Sequence, residues 1–137
     1  MYLGETLIVG ERHYPMVGAV PLAFILEEKP QGHGYTVLEV TEPNPYFPAG
    51  EVLKGHEFHY SRAVIRGPGQ IQTAFKVLRG HGLDGNRDGL CKKNLLATYT
   101  HLHAGGNFLW GKCLFQAALA SARLKVRNFS DGPEKNH

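Results

Sequence analysis

A chain of 137 residues and 15.2 kDa, 42% hydrophobic and 20% charged, has room for one domain with a real core and the make-up of an ordinary soluble globular protein. The net charge of +3 is small and the basic residues are scattered, without an arm or a stripe, which argues against nucleic acid and suits a polyanionic small substrate. No apolar run approaches the length of a bilayer span and no charged segment precedes a long apolar core, so no membrane association and a cytoplasmic location are expected.

Met1 opens into Tyr2-Leu3-Gly4-Glu5-Thr6-Leu7-Ile8-Val9, whose periodicity fits the remainder of a helix or a strand. Leu22 to Leu26 reads as a buried strand between Pro21 and Pro30-Gln31-Gly32. Tyr35 to Val40 is β-branched and partly alternating, and is expected to be its antiparallel partner across a Gly32-His33-Gly34 turn. Glu42 to Pro48 is too rich in proline for regular structure. Glu57 to Ala63 alternates like a strand closed by Gly67-Pro68-Gly69, and Thr73 to Leu78 is another strand. Gly80 to Gly89 reads as a long turn and Leu95 to Tyr99 as the last strand. Asn107 is placed to cap a helix from about Phe108 to Leu124, with Trp110, Leu114, Ala117, Ser121 and Leu124 on one side. Residues 1–128 are expected to form one unit and 129–137 a polar, disordered tail. An α/β domain so short of helices looks like the later part of a larger one whose opening βα units lie upstream.

Several short patterns carry candidate chemistry. Gly80-His81-Gly82-Leu83-Asp84-Gly85 matches a dinucleotide-binding fingerprint, but more turn follows where a helix must face the pyrophosphate. His56-Glu57-Phe58-His59 resembles a zinc-protease motif only superficially. Its histidines are three apart on a strand-like segment and point to opposite faces. Glu57 and His59 share a face, able to bond to each other or to orient a catalytic histidine nearby. His101 and His103 also share a face on extended backbone, at a strand end where α/β folds present catalytic groups. They fit a metal site lacking a third ligand, or a general base beside a structural neighbour. Cys91 sits in a turn without an elbow and Cys113 lies within the helix, so neither has the setting of a nucleophile. The two cysteines form no metal spacing and no disulfide framework.

Taken together, Lys54 to Ser61 (KGHEFHYS), Arg79 to Leu90 (RGHGLDGNRDGL) and Leu96 to Ala104 (LATYTHLHA) resemble the C-terminal glutaminase domain of the cobyrinic acid a,c-diamide synthase family. Gly18 to Phe24 and Gly32 to Val40 extend the likeness, which runs from Met1 to about Leu124. The resemblance implies part of an α/β, flavodoxin-like three-layer class I glutamine amidotransferase domain, sheet-rich with a terminal helix. It implies hydrolysis of glutamine by a cysteine–histidine pair. The ammonia would serve an ATP- and Mg²⁺-dependent synthetase domain, outside this chain, that amidates carboxylates of a tetrapyrrole in cobalamin biosynthesis.

The histidine of the family's Tyr-x-His element corresponds to His101. His103 is its neighbour, and Glu57 and His59 are supporting residues. The family's nucleophile lies in a Cys-Gly-Gly element followed by a Met-Tyr-Leu-like segment, so it is expected just before Met1. This chain alone is therefore expected to be catalytically incomplete and to bind no cofactor. Missing central strands would expose edges and apolar surface, favouring poor solubility or a homodimer. The same chemistry on another tetrapyrrole such as sirohaem, and a non-catalytic interaction domain, remain as alternatives.

Overall fold

The computed structural model describes the backbone of residues 1–66 and 71–130 and the side chains of residues 1–66 and 71–123. The chain forms β1 (Thr6–Val9), β2 (Arg12–Pro15), β3 (Leu22–Leu26), β4 (Gly32–Val40), β5 (Val52–His59), β6 (Ser61–Ile65), β7 (Gln72–Arg79), β8 (Arg87–Lys92), β9 (Leu95–Ala97), β10 (His101–Leu102) and one helix, α1 (Phe108–Ser130). This is the sheet-rich α/β arrangement with a terminal helix that the sequence led us to expect. The opening stretch resolves into a strand over Thr6–Val9, and β2, unforeseen, folds back on it.

The strands make two sheets, ordered β2-β1-β3-β6 and β10-β5-β4-β7-β8-β9. In the first, β1 and β3 run parallel, while β3 and β6 are antiparallel. The second is antiparallel throughout.

The expected β3–β4 hairpin is not formed. β3 pairs with β1 and β6, and β4 pairs with β5 and β7. Pro30, which has no N–H to donate, and Gly32 mark a bend between sheets, not a turn back. The expected single strand from Glu57 to Ala63 breaks at Tyr60 for the same reason. The ladder ends at Leu26↔Ser61 in one sheet and resumes at Gly32↔His59 in the other. At the bend the Glu27 N–H donates to the Tyr60 carbonyl and the Gln31 N–H to that of His59, both at 2.8 Å. One ribbon thus serves both sheets.

The larger sheet must curl. Its edge strands, β9 and β10, are joined by a link of only three residues, Thr98, Tyr99 and Thr100. Laid flat, six strands spaced about 4.8 Å apart would put those edges about 24 Å apart. The link from Ala97 to His101 can reach about 14 Å at full stretch. The curled interior holds Leu38, Val40, Phe47, Leu53, Ala74 and Phe75, with Trp110 of α1 packed against it. Phe47 reaches in from the proline-rich loop and meets Phe75 edge-on. A second cluster of Val20, Leu22, Phe24 and Leu90 brings residues of the two sheets together.

Two other expectations shift at their ends. The long turn after Gly80 stops at Asn86, because β8 begins at Arg87, and the last apolar run is strand only to Ala97. Gly89 lets β8 continue. Its φ is +70°, and the Phe75 ring occupies the space where a Cβ would stand.

Asn107 caps α1 as expected, its side-chain oxygen accepting the Leu109 N–H at 3.1 Å. The helix runs past Leu124 to Ser130, so its backbone includes the first two residues of the expected tail. Cys113 is buried and Trp110 and Ala117 half-buried on the inner side, while Leu114 is more exposed than expected. Residues 131–137, Gly67-Pro68-Gly69 and the Leu124 side chain lie outside the described residues.

Candidate active site

Strand β5 divides the expected site residues between two faces, since successive side chains on a strand point opposite ways. On the inner face lie Leu53, Glu57 and His59. The Glu57 carboxylate is fully buried and accepts the backbone N–H groups of His81 at 2.6 Å and Gly82 at 2.9 Å. Gly80 to Gly85 leads to a strand, not to a helix whose N-terminus could face a phosphate.

His59 has its Nε2 3.5 Å from Glu57 Oε2, and its Nδ1–H donates to the Ser61 carbonyl at 2.9 Å. Its ring stacks on Tyr99, centroids 3.8 Å apart and planes 18° from parallel. The Tyr99 hydroxyl lies 2.7 Å from Ser61 Oγ. Burial pushes the Tyr99 phenol up to about 12, the nearby Asp88 charge adding to the rise and the Ser61 hydrogen bond opposing it. Glu57 and His59 therefore come together as expected, in a packed and bonded interior.

His101 stands on the other face. On the two-residue β10 it pairs directly with His56 of β5, and the two rings have centroids 5.0 Å apart with planes tilted by 49°. Both side chains are exposed. The rings of His59 and His103 hydrogen-bond to described residues, whereas those of His56 and His101 do not. His103 does not share the site. Its Nδ1 accepts the Gly105 N–H at 3.1 Å, and its carbonyl accepts from Gly106 and Asn107 in the turn that launches α1. Among the described residues no group of three or more His, Cys, Asp or Glu side chains is placed to hold a metal.

The backbone that delivers His101 is clamped by Asp88, a residue expected only as part of the long turn. Its buried carboxylate accepts the Thr98 hydroxyl at 2.6 Å and the N–H groups of Gly89 at 2.8 Å, Thr100 at 3.0 Å and Tyr99 at 3.2 Å. An aspartate next to a glycine and before the apolar pair Leu90-Cys91 was the available signal, because an unpaired acid is seldom fully buried. Gly55 completes the delivery. A Cβ there would run into the His101 carbonyl oxygen, so only glycine lets β10 close on β5. His56 stood out only in the superficial His56-Glu57-Phe58-His59 pattern, and its pairing with His101 depends on register.

Neither cysteine has the environment of an activated thiol. Burial raises Cys91, whose thiol faces the Gly89 carbonyl, and Cys113 is packed in α1. A cavity of about 70 Å³ is lined by Met1, Leu22, Phe24, Asp88, Thr98 and Tyr99, so the first residue sits against the crossing that leads to His101.

The chain thus presents an exposed histidine on a strand end that Asp88 clamps, with no activated thiol among its described residues. A family model for the CobB/CobQ-like glutamine amidotransferase domain matches residues 1–108. The chain belongs to that family. It is 43% identical over 103 residues to a cobyrinate a,c-diamide synthase of Archaeoglobus fulgidus, an alignment covering 75% of this chain and 22% of the relative. The corresponding protein of Magnetococcus marinus is 36% identical over 114 residues, covering 83% of this chain and 24% of the relative. That of Methanosphaera stadtmanae is 39% identical over 103 residues, covering 75% and 22%. The chain thus spans less than a quarter of the length of these curated relatives. No helix among the described residues is long and apolar enough to cross a membrane.

Proposed function

We propose that this chain is the histidine-bearing part of the glutaminase domain of an ATP-dependent cobyrinate a,c-diamide synthase. In this reading His101 is the general base and acid, and the nucleophilic cysteine comes from sequence upstream of Met1. The supporting observation is the state of the His101 ring: exposed and without a hydrogen bond among the described residues, on a strand end that Asp88 holds. A ring with an uncommitted nitrogen can accept a proton, as a base must. The names of the relatives support the choice of substrate.

His101 takes the thiol proton, the thiolate attacks the glutamine amide carbon, and the proton passes to the nitrogen as ammonia leaves. Water then hydrolyses the glutamyl thioester, with His101 accepting its proton. Glu57 and His59 act at one remove, shaping the Gly80–Gly82 loop and the Tyr99 side of the crossing. ATP and Mg²⁺ belong to a synthetase portion beyond these residues, which activates the carboxylates that receive the ammonia.

The test is a glutaminase assay on a version extended upstream to include a Cys-Gly-Gly element. His101→Ala is expected to lower turnover about 10²- to 10⁴-fold, the range of general acid–base catalysis. Unchanged turnover would remove His101 from the mechanism. The 137-residue chain alone is expected to release no ammonia from glutamine.

A further inference from the structure

We propose that His56 and His101 form a two-histidine binding site for a borderline divalent transition-metal ion, zinc first, on the outer face of the β5–β10 pair. Directly opposed residues of an antiparallel pair have Cβ atoms about 4.5–5.5 Å apart, close enough for two side chains to reach one ion. The spacing of the rings is compatible with one shared ion. A zinc ion about 2.05 Å from an imidazole nitrogen lies about 3.2 Å from that ring's centre, so two rings bound at a tetrahedral angle have centroids about 5.2 Å apart. At a right angle the separation falls to about 4.5 Å by the same bond length. The observed 5.0 Å lies between these limits.

Both rings are exposed and make no hydrogen bond among the described residues, so rotation about their side-chain bonds can turn two lone pairs towards one point. Water would complete the coordination, since no third His, Cys, Asp or Glu is grouped with them among the described residues. Two residues before His56, Lys54 puts an ammonium on the same exposed face, while Glu57 turns inward to its loop. Nitrogen donors without a carboxylate suit zinc, nickel or copper, not calcium or magnesium.

Binding itself does not depend on the glutaminase reading. Its consequence does: an ion on His101 would occupy the lone pair that takes the thiol proton, making zinc an inhibitor of hydrolysis.

The test uses the 137-residue chain and zinc chloride, read by titration calorimetry and by ¹⁵N spectra of the histidine rings. One equivalent is expected to bind, with the His56 and His101 ring nitrogens shifting together. His56→Gln and His101→Gln should each weaken binding at least tenfold, and His103→Gln should leave it unchanged. Both substituted positions are exposed, so thermal unfolding of the variants should match that of the parent, which separates lost ligation from lost fold. No binding by the parent, full affinity in His56→Gln, or loss of binding in His103→Gln would each overturn the site.

Discussion

The two faces of β5 treat their histidines in opposite ways. On the inner face His59 is fixed by the Ser61 carbonyl, the Glu57 carboxylate and the Tyr99 ring. On the outer face His56 and His101 meet each other, with the surrounding surface open. His59 is held by one ring hydrogen bond and by packing, whereas the outer rings make no hydrogen bond among the described residues. In the proposed function this contrast corresponds to a scaffold role for Glu57 and His59 and a proton-transfer role for His101.

The sharpest way to break this division is at Asp88. Asp88→Ala strands three backbone N–H groups and the Thr98 hydroxyl, with an expected loss of about 3–5 kcal/mol in urea unfolding. Unfolding at the parent's urea midpoint would show that the crossing needs no clamp. Glu57→Ala should come next, costing about 2–3 kcal/mol as the His81 and Gly82 amides lose their acceptor. A change below about half a kcal/mol would move Glu57 out of the scaffold. Gly55→Ala is expected to cost about 1–3 kcal/mol by overpacking against the His101 carbonyl, and to blur the His101 ring resonance before the fold is lost.

Tyr99 supplies a pH test of the inner face. Its pKa is about 12 in the folded chain and about 10 unfolded, so the unfolded form ionises first as pH rises. The stabilisation is complete below about pH 10 and is lost between about pH 10 and 12. Tyr99→Phe should flatten the melting-temperature profile in that window. An unchanged slope would place the effect elsewhere.

The smallest effect lies at Asp84. Burial alone would raise its carboxyl, but hydrogen bonds from Arg87 and the Asn86 amide, with the Arg87 charge, hold it below its usual value. Its contribution is present above the normal aspartate range and fades as pH falls through the lowered value. Asp84→Asn should therefore remove only a small part of the acid sensitivity, because the group is exposed.

Local pattern was enough to find the apolar strands at Leu22–Leu26 and within β7, the Asn107 cap, and the strand character of Glu57 and His59. It could not say who pairs with whom. The Leu22–Leu26 run is apolar enough for either sheet, and only its ladder with β1 and β6 assigns it. Asp88 was hidden because Gly80 to Gly89 is so rich in turn residues that a strand beginning at Arg87 left no periodic trace. His101 and His56 both lie in stretches that resemble the family's motifs, but neither stretch showed that the two would meet. Residues 101 and 103 are close in sequence, but strand register sets 101 beside 56.

The brevity of the crossing from β9 to β10 also governs when the imidazole of residue 101 arrives. Those strands can be bridged by three residues only once the intervening ones have assembled and curved round. The position of that ring is therefore tied to closure of the larger sheet, and its ¹⁵N signal reports whether the two edges have come together.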